Sequence, residues 1–555
     1  MVDTGEDIFT FIVGGKAGEG VKKAGSVASK LFSEMERNVF QMDDYQSLIR
    51  GGHNFSVVST SVSEITSHYM KADLVVSLDE RSYEIHKNHL LDDGFMIYNS
   101  DLLPDGKGVG VPLTSQAKKY PRPDIMVGVS AVSILSCAIG LDREELEEVI
   151  KKEYKKDTEN NISYATTIYD IVHPKIGGRF NLDRGDQNSP ILTGNQAIAL
   201  GACASGLDIY FAYPMTPASS ILHFLAAHDQ DLGVTVIHPE SEIAVANMAI
   251  GSAFCGARVM VGSSGGGFAL MEEAISLAGM TETPLICVLS SRPGPSTGVP
   301  TYTNQTDLGL ALNSGHGEFP LIVASPGSAN EAFYLTSEMM SLVWKFQTPG
   351  ILLTEKHLSE SSMTVDIDVG KARWADPVSH MKGEYKRYLD TPDGVSPLLF
   401  PPSNELIKWN SYEHDEMGIT TDEADMIKKM HDKRKRKQDS IRNHLKGEHT
   451  VNVYGTGEPR IFTYGSTSMS VLEALRHGKI DATVVQPIYL DPLPIWELDK
   501  FNDSDSVIVV EQSSFGQFST LLKDKVGLED VIDIRKYDGR PFDPFELSEE
   551  IKEVI

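Results

Sequence analysis

The sequence predicts a multidomain α/β protein built from three doubly wound, mostly parallel sheets. Two observations carry that expectation. Apolar or β-branched runs repeatedly end in glycine-bearing turns and pass into helical patterns: IFTFIV, GGKAGEG and VKKAGSVASKLFSEM at the start, RIFTYGSTSMSVLEALRHG and SVIVVEQSSFGQFSTLLKDKVG near the end. That is the sequence form of parallel strands joined by crossovers. The chain of 555 residues, 41% apolar and 23% charged, also has core enough for roughly three to four domains.

Taken in order, residues 1–180 alternate β-rich runs (ADLVVSLD, GFMIYNS) with helical patterns and form a first domain. The stretch HPKIGGRFNLDRGDQNSP reads as a linker. A second domain spans 191–372. Residues 373–455 hold several prolines and the basic run KKMHDKRKRK, and read as a connection with an exposed helical arm. A third α/β unit occupies 456–555.

The net charge of −28 argues against nucleic-acid or anionic-membrane binding. The basic run at 428–437 departs from it, as a solvated helix face or a dock for an acidic partner. The four cysteines contain no CxxC pair, so this chain alone offers neither a zinc site nor an iron–sulfur cluster, and no metal ligands are assigned. The opening MVDTGED lacks the basic-then-apolar order of a secretory signal, and the uncharged run from Ile125 to Leu141 is broken by Gly, Ser and Cys. A cytoplasmic protein that does not span the membrane is expected.

Three pieces within 208–320 carry the chemistry. In YFAYPMTPASS, Pro214 and Pro217 stiffen the backbone around Thr216, whose hydroxyl can face a substrate carboxylate or cap a helix. In HPESEIAVANMAIGSAFCGA, acids open a helix that is small and apolar almost throughout, which implies a closely packed, buried helix. A carboxyl buried at its head, Glu242, can share a proton with a ring nitrogen. In SRPGPSTGVPT, Arg292 is the only Lys or Arg between Arg258 and Thr301, suited to a carboxylate or phosphate or to a structural ion pair. His316 and Glu318 of SGHGEFP add polar groups near another strand. The first glycine loop, Gly14, Gly15, Gly18 and Gly20, could face an anion or be a plain tight turn, and Arg50 of IRGGHN an acidic ligand. It has no Lys-Ser/Thr pair, so it is not a P-loop.

Together these motifs resemble the α subunit of 2-oxoacid:ferredoxin oxidoreductases, in the form with the γ subunit fused at the N-terminus. GGKAGEG through IRGGHN resembles the γ part. YPMTP, ESEIAVANMAIGSA, GPSTGVPT and GHGEFP resemble the thiamine-pyrimidine domain, and the last hundred or so residues a transketolase C-terminal domain. Met215 stands where the family often has isoleucine, and GGG where GPG is common.

The resemblance implies a thiamine diphosphate enzyme that oxidatively decarboxylates a 2-oxoacid, with coenzyme A as acyl acceptor and ferredoxin as electron acceptor. It makes Glu242, nine positions before Gly251, the glutamate bonded to the thiamine pyrimidine. Thr216 and Arg292 become the residues that hold the substrate carboxylate, with Tyr213, Pro214, Ser296 and Thr297 in the same two loops. The glycine loop and Arg50 are implied at coenzyme A. The diphosphate–Mg2+ motif and the [4Fe–4S] cysteines, absent here, belong in the family to a β subunit, where ferredoxin would also dock. Which 2-oxoacid is used stays open, with a lean toward 2-oxoglutarate. A thiamine enzyme that does not use ferredoxin, and a non-enzymatic nucleotide-binding assembly protein, are the rival readings.

Overall fold

The computed structural model describes residues 7–47, 51–502 and 506–555. Three sheets organise the chain. The first has eight strands, in spatial order Val109–Val111, Leu90–Asn99, Ala72–Ser77, Phe9–Ala17, Gly51–Ser61, Asn38–Asp44, Ser362–Thr364 and Ile191–Thr193. Its first four strands are parallel and the rest antiparallel. The connections explain the split. Helix Glu80–His86 returns the chain for a parallel pairing, whereas too few residues separate Asp44 from Gly51 for anything but an antiparallel return.

The second sheet has seven strands, ordered Tyr489–Asp491, Ile322–Ala324, Pro349–Glu355, Leu285–Ser291, Val259–Ser263, Ile209–Phe211 and Thr235–Ile237. All its pairings are parallel except that of Tyr489–Asp491. The third sheet orders Val451–Tyr454, Thr483–Pro487, Arg460–Phe462, Val507–Glu511 and Val531–Arg535.

The sheets do not respect the boundaries drawn from sequence. Ile191–Thr193 and Ser362–Thr364, the two ends of the second region, complete the first sheet, and Tyr489–Asp491 of the last region edges the second. Side chains tie the same regions together. Glu473 accepts from Tyr69 Oη at 2.5 Å and from the Thr66 N–H at 2.6 Å. Arg540 Nε meets Asp44 at 3.1 Å. Gln305 donates to the Tyr464 carbonyl and accepts from Thr467 Oγ1 and the Gln512 N–H.

The basic run corrects the expectation of an exposed arm. It lies on helix Ala424–Leu445, which buries Met430, Lys433, Arg434, Lys437, Ile441 and Leu445 against the second region. Lys433 donates to both oxygens of the buried Glu282, at 2.7 and 2.8 Å, and Lys437 joins them. Arg434 pairs with Glu413, Arg436 with Asp390. Lys433, Arg434, Arg436 and Lys437 therefore all meet carboxylates elsewhere in the chain, and the helix is a strut. Helix Pro123–Ala138 is buried from Met126 to Ala138. Among the described residues no helix is long and apolar enough to cross a membrane.

Candidate active site

Strands Ile209–Phe211, Val259–Ser263, Leu285–Ser291 and Pro349–Glu355 end along one edge of the second sheet. The loops that follow the first three carry Thr216, the triple-glycine turn 265–267 and Arg292. Ligands bind at such carboxyl edges of open parallel sheets.

Glu242 is the first residue of helix Glu242–Phe254, behind an N-cap Ser241 whose hydroxyl accepts from the Ala244 N–H at 3.3 Å. The helix head turns its side chain inward, and Glu242 is 4% exposed. Its Oε1 is buried with no hydrogen-bond partner. The carboxyl lies across Gly267, where a Cβ would stand 2.4 Å from Oε1 and 2.2 Å from Ser263 Oγ. Ser263 Oγ in turn approaches Met215 Sδ at 3.9 Å, which brings the YPMTP loop against the same turn. An unpaired buried carboxyl oxygen costs free energy unless something completes it. A ring nitrogen or exocyclic amine fits that requirement.

Arg292 reaches across to the YPMTP loop, and its Nη1 donates to the Thr216 carbonyl at 2.8 Å. No carboxylate among the described residues lies within ion-pair distance of it, so the remaining guanidinium donors are left for an anion. Desolvation holds its pKa below the ordinary arginine value, with Asp307 opposing. Thr216 does not cap the next helix. That helix begins at Ser219 behind Ala218, which makes no side-chain cap.

Tyr213 and Pro214 are exposed, as are Ser296 and Thr297. The last two project from a loop that closes on itself, the Val299 N–H donating to the Pro293 carbonyl at 3.0 Å. Gly298 makes that closure possible. It has a φ of 54°, and a Cβ there would lie 1.7 Å from the same carbonyl.

Helix Glu242–Phe254, expected as a closely packed, buried helix, is buried on one face only. Val245, Ala246, Ala249, Ile250 and Ala253 face the core, but Ile243, Asn247, Met248 and Cys255 are open to solvent, and nothing stands within 4 Å of the Cβ position of Gly251. Ile243 is 54% and Leu270, beside the glycine turn, 53% exposed. This apolar face therefore flanks the buried Glu242 on its own helix and beside the glycine turn.

The other candidates are less convergent. His316 and Glu318 are exposed on a segment running beside helix Glu272–Met280, where the His316 carbonyl accepts from Ser276 and the Gly315 N–H donates to Glu272. No contact joins them to Glu242 or Arg292. In the first domain Gly14 and Gly15 lie inside strand Phe9–Ala17, and their missing side chains make room for Ser82 and His86, and for Glu19 and Leu78. Gly18 and Gly20 take φ of 99° and 82°, and Gly20 precedes helix Val21–Glu34. Glu19 folds over this turn and accepts from the Lys16 N–H at 2.8 Å, so an incoming anion must displace the protein's own acid. Arg50 lies outside the described residues. The residue missed from the sequence is Asp307, which accepts from Ser291 Oγ at 2.9 Å beside Arg292. An acid just before a short helix reads as a cap, and its real contacts are far away in sequence.

A parallel sheet thus carries a buried glutamate, a glycine turn and a cation loop on one edge, an arrangement suited to a nitrogen heterocycle beside an anion. Comparison with known proteins makes this specific. Residues 200–433 match the family described as pyruvate flavodoxin/ferredoxin oxidoreductase, thiamine diP-bdg. Residues 10–171 match that described as pyruvate ferredoxin/flavodoxin oxidoreductase. A 2-oxoacid:ferredoxin oxidoreductase subunit alpha from Sulfolobus sp is 29% identical over 98% of this chain and 97% of its own. A 2-oxoglutarate synthase subunit KorA from Archaeoglobus fulgidus is 28% identical over 59% of this chain and 88% of its own. The solved 2-oxoglutarate:ferredoxin oxidoreductase from Magnetococcus marinus, with 2-oxoglutarate, coenzyme A and succinyl-CoA bound, superposes with a TM-score of 0.89 at 28% identity, covering 98% of this chain and 99% of that one. The chain belongs to the 2-oxoacid:ferredoxin oxidoreductase family, as an α subunit that includes the γ-like domain.

Proposed function

We propose that Glu242, Thr216 and Arg292 form this chain's share of a 2-oxoacid oxidation site, completed by a β subunit. The observation that carries it is the Glu242 carboxyl, buried at a helix head over Gly267 with Oε1 unpartnered. Thiamine diphosphate, when bound, would supply a carbon that becomes nucleophilic on losing its proton and that can take up the electrons left by CO2. Glu242 would hold the pyrimidine ring of that group and exchange a proton with its ring nitrogen. Arg292 would take the substrate carboxylate with its free guanidinium donors, its direction fixed by the Thr216 carbonyl, while the Thr216 hydroxyl adds a neutral donor. Tyr213, Pro214, Ser296 and Thr297 would form the rim.

Three further assignments belong to the same reading. Mg2+, the diphosphate contacts and a [4Fe–4S] cluster reside in the β subunit, which docks on the apolar face of Ile243, Met248 and Leu270. Ferredoxin meets that subunit, in the cytoplasm. Coenzyme A accepts the acyl group, and the turn of Gly14, Gly15, Gly18 and Gly20 with Arg50 flanks it once Glu19 moves aside. The substrate class is a 2-oxoacid, with 2-oxoglutarate the first to test, as in the solved relative.

The test is to co-express the chain with its β subunit and follow viologen reduction with coenzyme A and a panel of 2-oxoacids. Activity that needs both subunits and is lost in Glu242→Gln supports the reading. A Glu242→Gln complex with full turnover would falsify it.

A further inference from the structure

Asp307 closes the loop that begins at Arg292 and immediately precedes the short helix Leu308–Leu312. An acid there would ordinarily cap its own helix. It does not. The Asp307 side chain makes no cap bond, and the Gly309 N–H donates instead to Gln517 Oε1, from the last domain, at 2.7 Å. Gln517 is anchored in turn by donating to the Thr306 carbonyl at 2.7 Å. A residue from another domain has taken over the capping, and the Asp307 carboxyl is free to turn toward the sheet edge.

Two contacts await it there. Ser291 Oγ, on the residue before Arg292, donates to Asp307 Oδ2 at 2.9 Å. Gly265, the first residue of the triple-glycine turn, lies so close that a Cβ on it would stand 2.8 Å from Oδ2. Two residues further along the same turn, Gly267 supports the Glu242 carboxyl, with Oε1 at 2.4 Å from the equivalent Cβ position. Glu242 and Asp307 thus meet the third and first residues of one five-residue helix, Gly265–Ala269, and Gly266 between them faces open space.

Arg292 is close enough for Asp307 to act on its charge, yet the two form no ion pair within 4 Å. The Ser291 hydroxyl holds the carboxyl aside. A direct pair would occupy the guanidinium fork that a substrate carboxylate needs. A carboxyl held one residue away lowers the cost of burying the cation and leaves its donors open.

We propose that Asp307 is a positioning residue of this site: through Ser291 it holds the strand end from which Arg292 reaches Thr216, and through Gly265 it fixes the turn against which the Glu242 carboxyl lies. This rests on the function proposed above. Burial raises the Asp307 pKa, and Ser291 and Arg292 pull it back. The carboxylate form is the one that accepts from Ser291 without competing for its own proton.

The test uses the αβ complex, with 2-oxoacid-dependent viologen reduction as readout. Asp307→Asn is expected to raise KM for the 2-oxoacid about tenfold, to change kcat less than threefold, and to leave KM for coenzyme A unchanged. Asp307→Glu is expected to recover at least part of the loss. A cycle of Asp307→Asn, Ser291→Ala and the double variant should be non-additive, the double variant being little worse than Asp307→Asn alone. Thermal unfolding of each complex separates misfolding from misplacement. Should Asp307→Asn leave the 2-oxoacid KM within twofold while Arg292→Lys raises it, the inference is overturned and the site stands. If Arg292→Lys and Glu242→Gln are both silent, the site itself is wrong, and Asp307 falls with it.

Discussion

Lys433 grips both oxygens of Glu282 inside the protein, with Lys437 closing the third side, and none of the three reaches solvent. Arg387 adds donors to the neighbouring Thr281 and Glu282 carbonyls, at 2.9 and 2.7 Å. One carboxylate therefore balances more positive charge than its own. Removing it leaves two lysines buried without a counter-charge, which costs about 3–5 kcal/mol in comparable pairs. Glu282→Gln should lower the urea midpoint by a corresponding amount. A variant that unfolds at the wild-type midpoint would show that the cluster is not a strut.

The same cluster gives a pH signature. Burial pushes Lys437 down to about 7, against the pull of Glu282. The unfolded chain, with an ordinary lysine near 10.4, then holds more protons than the folded one between about pH 7 and 10. This group's contribution to stability should rise with pH across that window. Lys437→Met should remove the rise, as read from urea midpoints at pH 7, 8 and 9.

Glu355 has the opposite sign. It ends strand Pro349–Glu355 beside Ser466, at the head of helix Thr467–Gly478, and burial raises it to about 7 while Ser466 pulls it back. The folded state holds the extra proton between about pH 4.3 and 7, so the contribution of this group falls as pH rises through that range. Glu355→Gln should flatten the fall and be nearly neutral at pH 5. A steeper fall in the variant would contradict it.

Gly267→Ala tests the site by steric means. The residue is helical, so alanine suits the backbone, but its Cβ collides with Glu242 and Ser263. A displacement of about 1 Å in a reacting constellation can cost about 100-fold in rate. The complex should assemble normally and lose activity on that scale, which turnover beside size-exclusion chromatography will show.

Ile243→Glu with Met248→Glu addresses the partner. These side chains lie on the solvent face of helix Glu242–Phe254, and Glu242 itself points the other way. Charges there should leave the isolated chain folded and weaken its association with the β subunit by on the order of 2 kcal/mol or more, as for a buried apolar anchor. Co-purification yield and sedimentation velocity provide the readout.

Much of the candidate site could be read in the chain because proline and glycine mark strand ends locally. Thr216, Glu242 and Arg292 each stand at such a mark, and the sheet gathers them. Asp307 could not be read this way, since its partners Ser291 and Gly265 sit 16 and 42 positions back and no local pattern joins them. The basic run misled because lysines at helical spacing look alike whether they face water or Glu282. The mixed first sheet was hidden for a similar reason: short strands such as Ser362–Thr364 have no periodicity, and only their neighbours decide whether they pair.

The eight-stranded first sheet carries one more implication, since its last two strands are donated by residues 191–193 and 362–364. Severing the polypeptide between 180 and 190 would expose Asn38–Asp44 as a raw edge, open to strangers. Two separately made fragments would have to zip that seam shut again before either was safe from clumping. The continuous chain spares the cell this step, and any attempt to produce the amino-terminal third by itself should carry a substitute for those two strands.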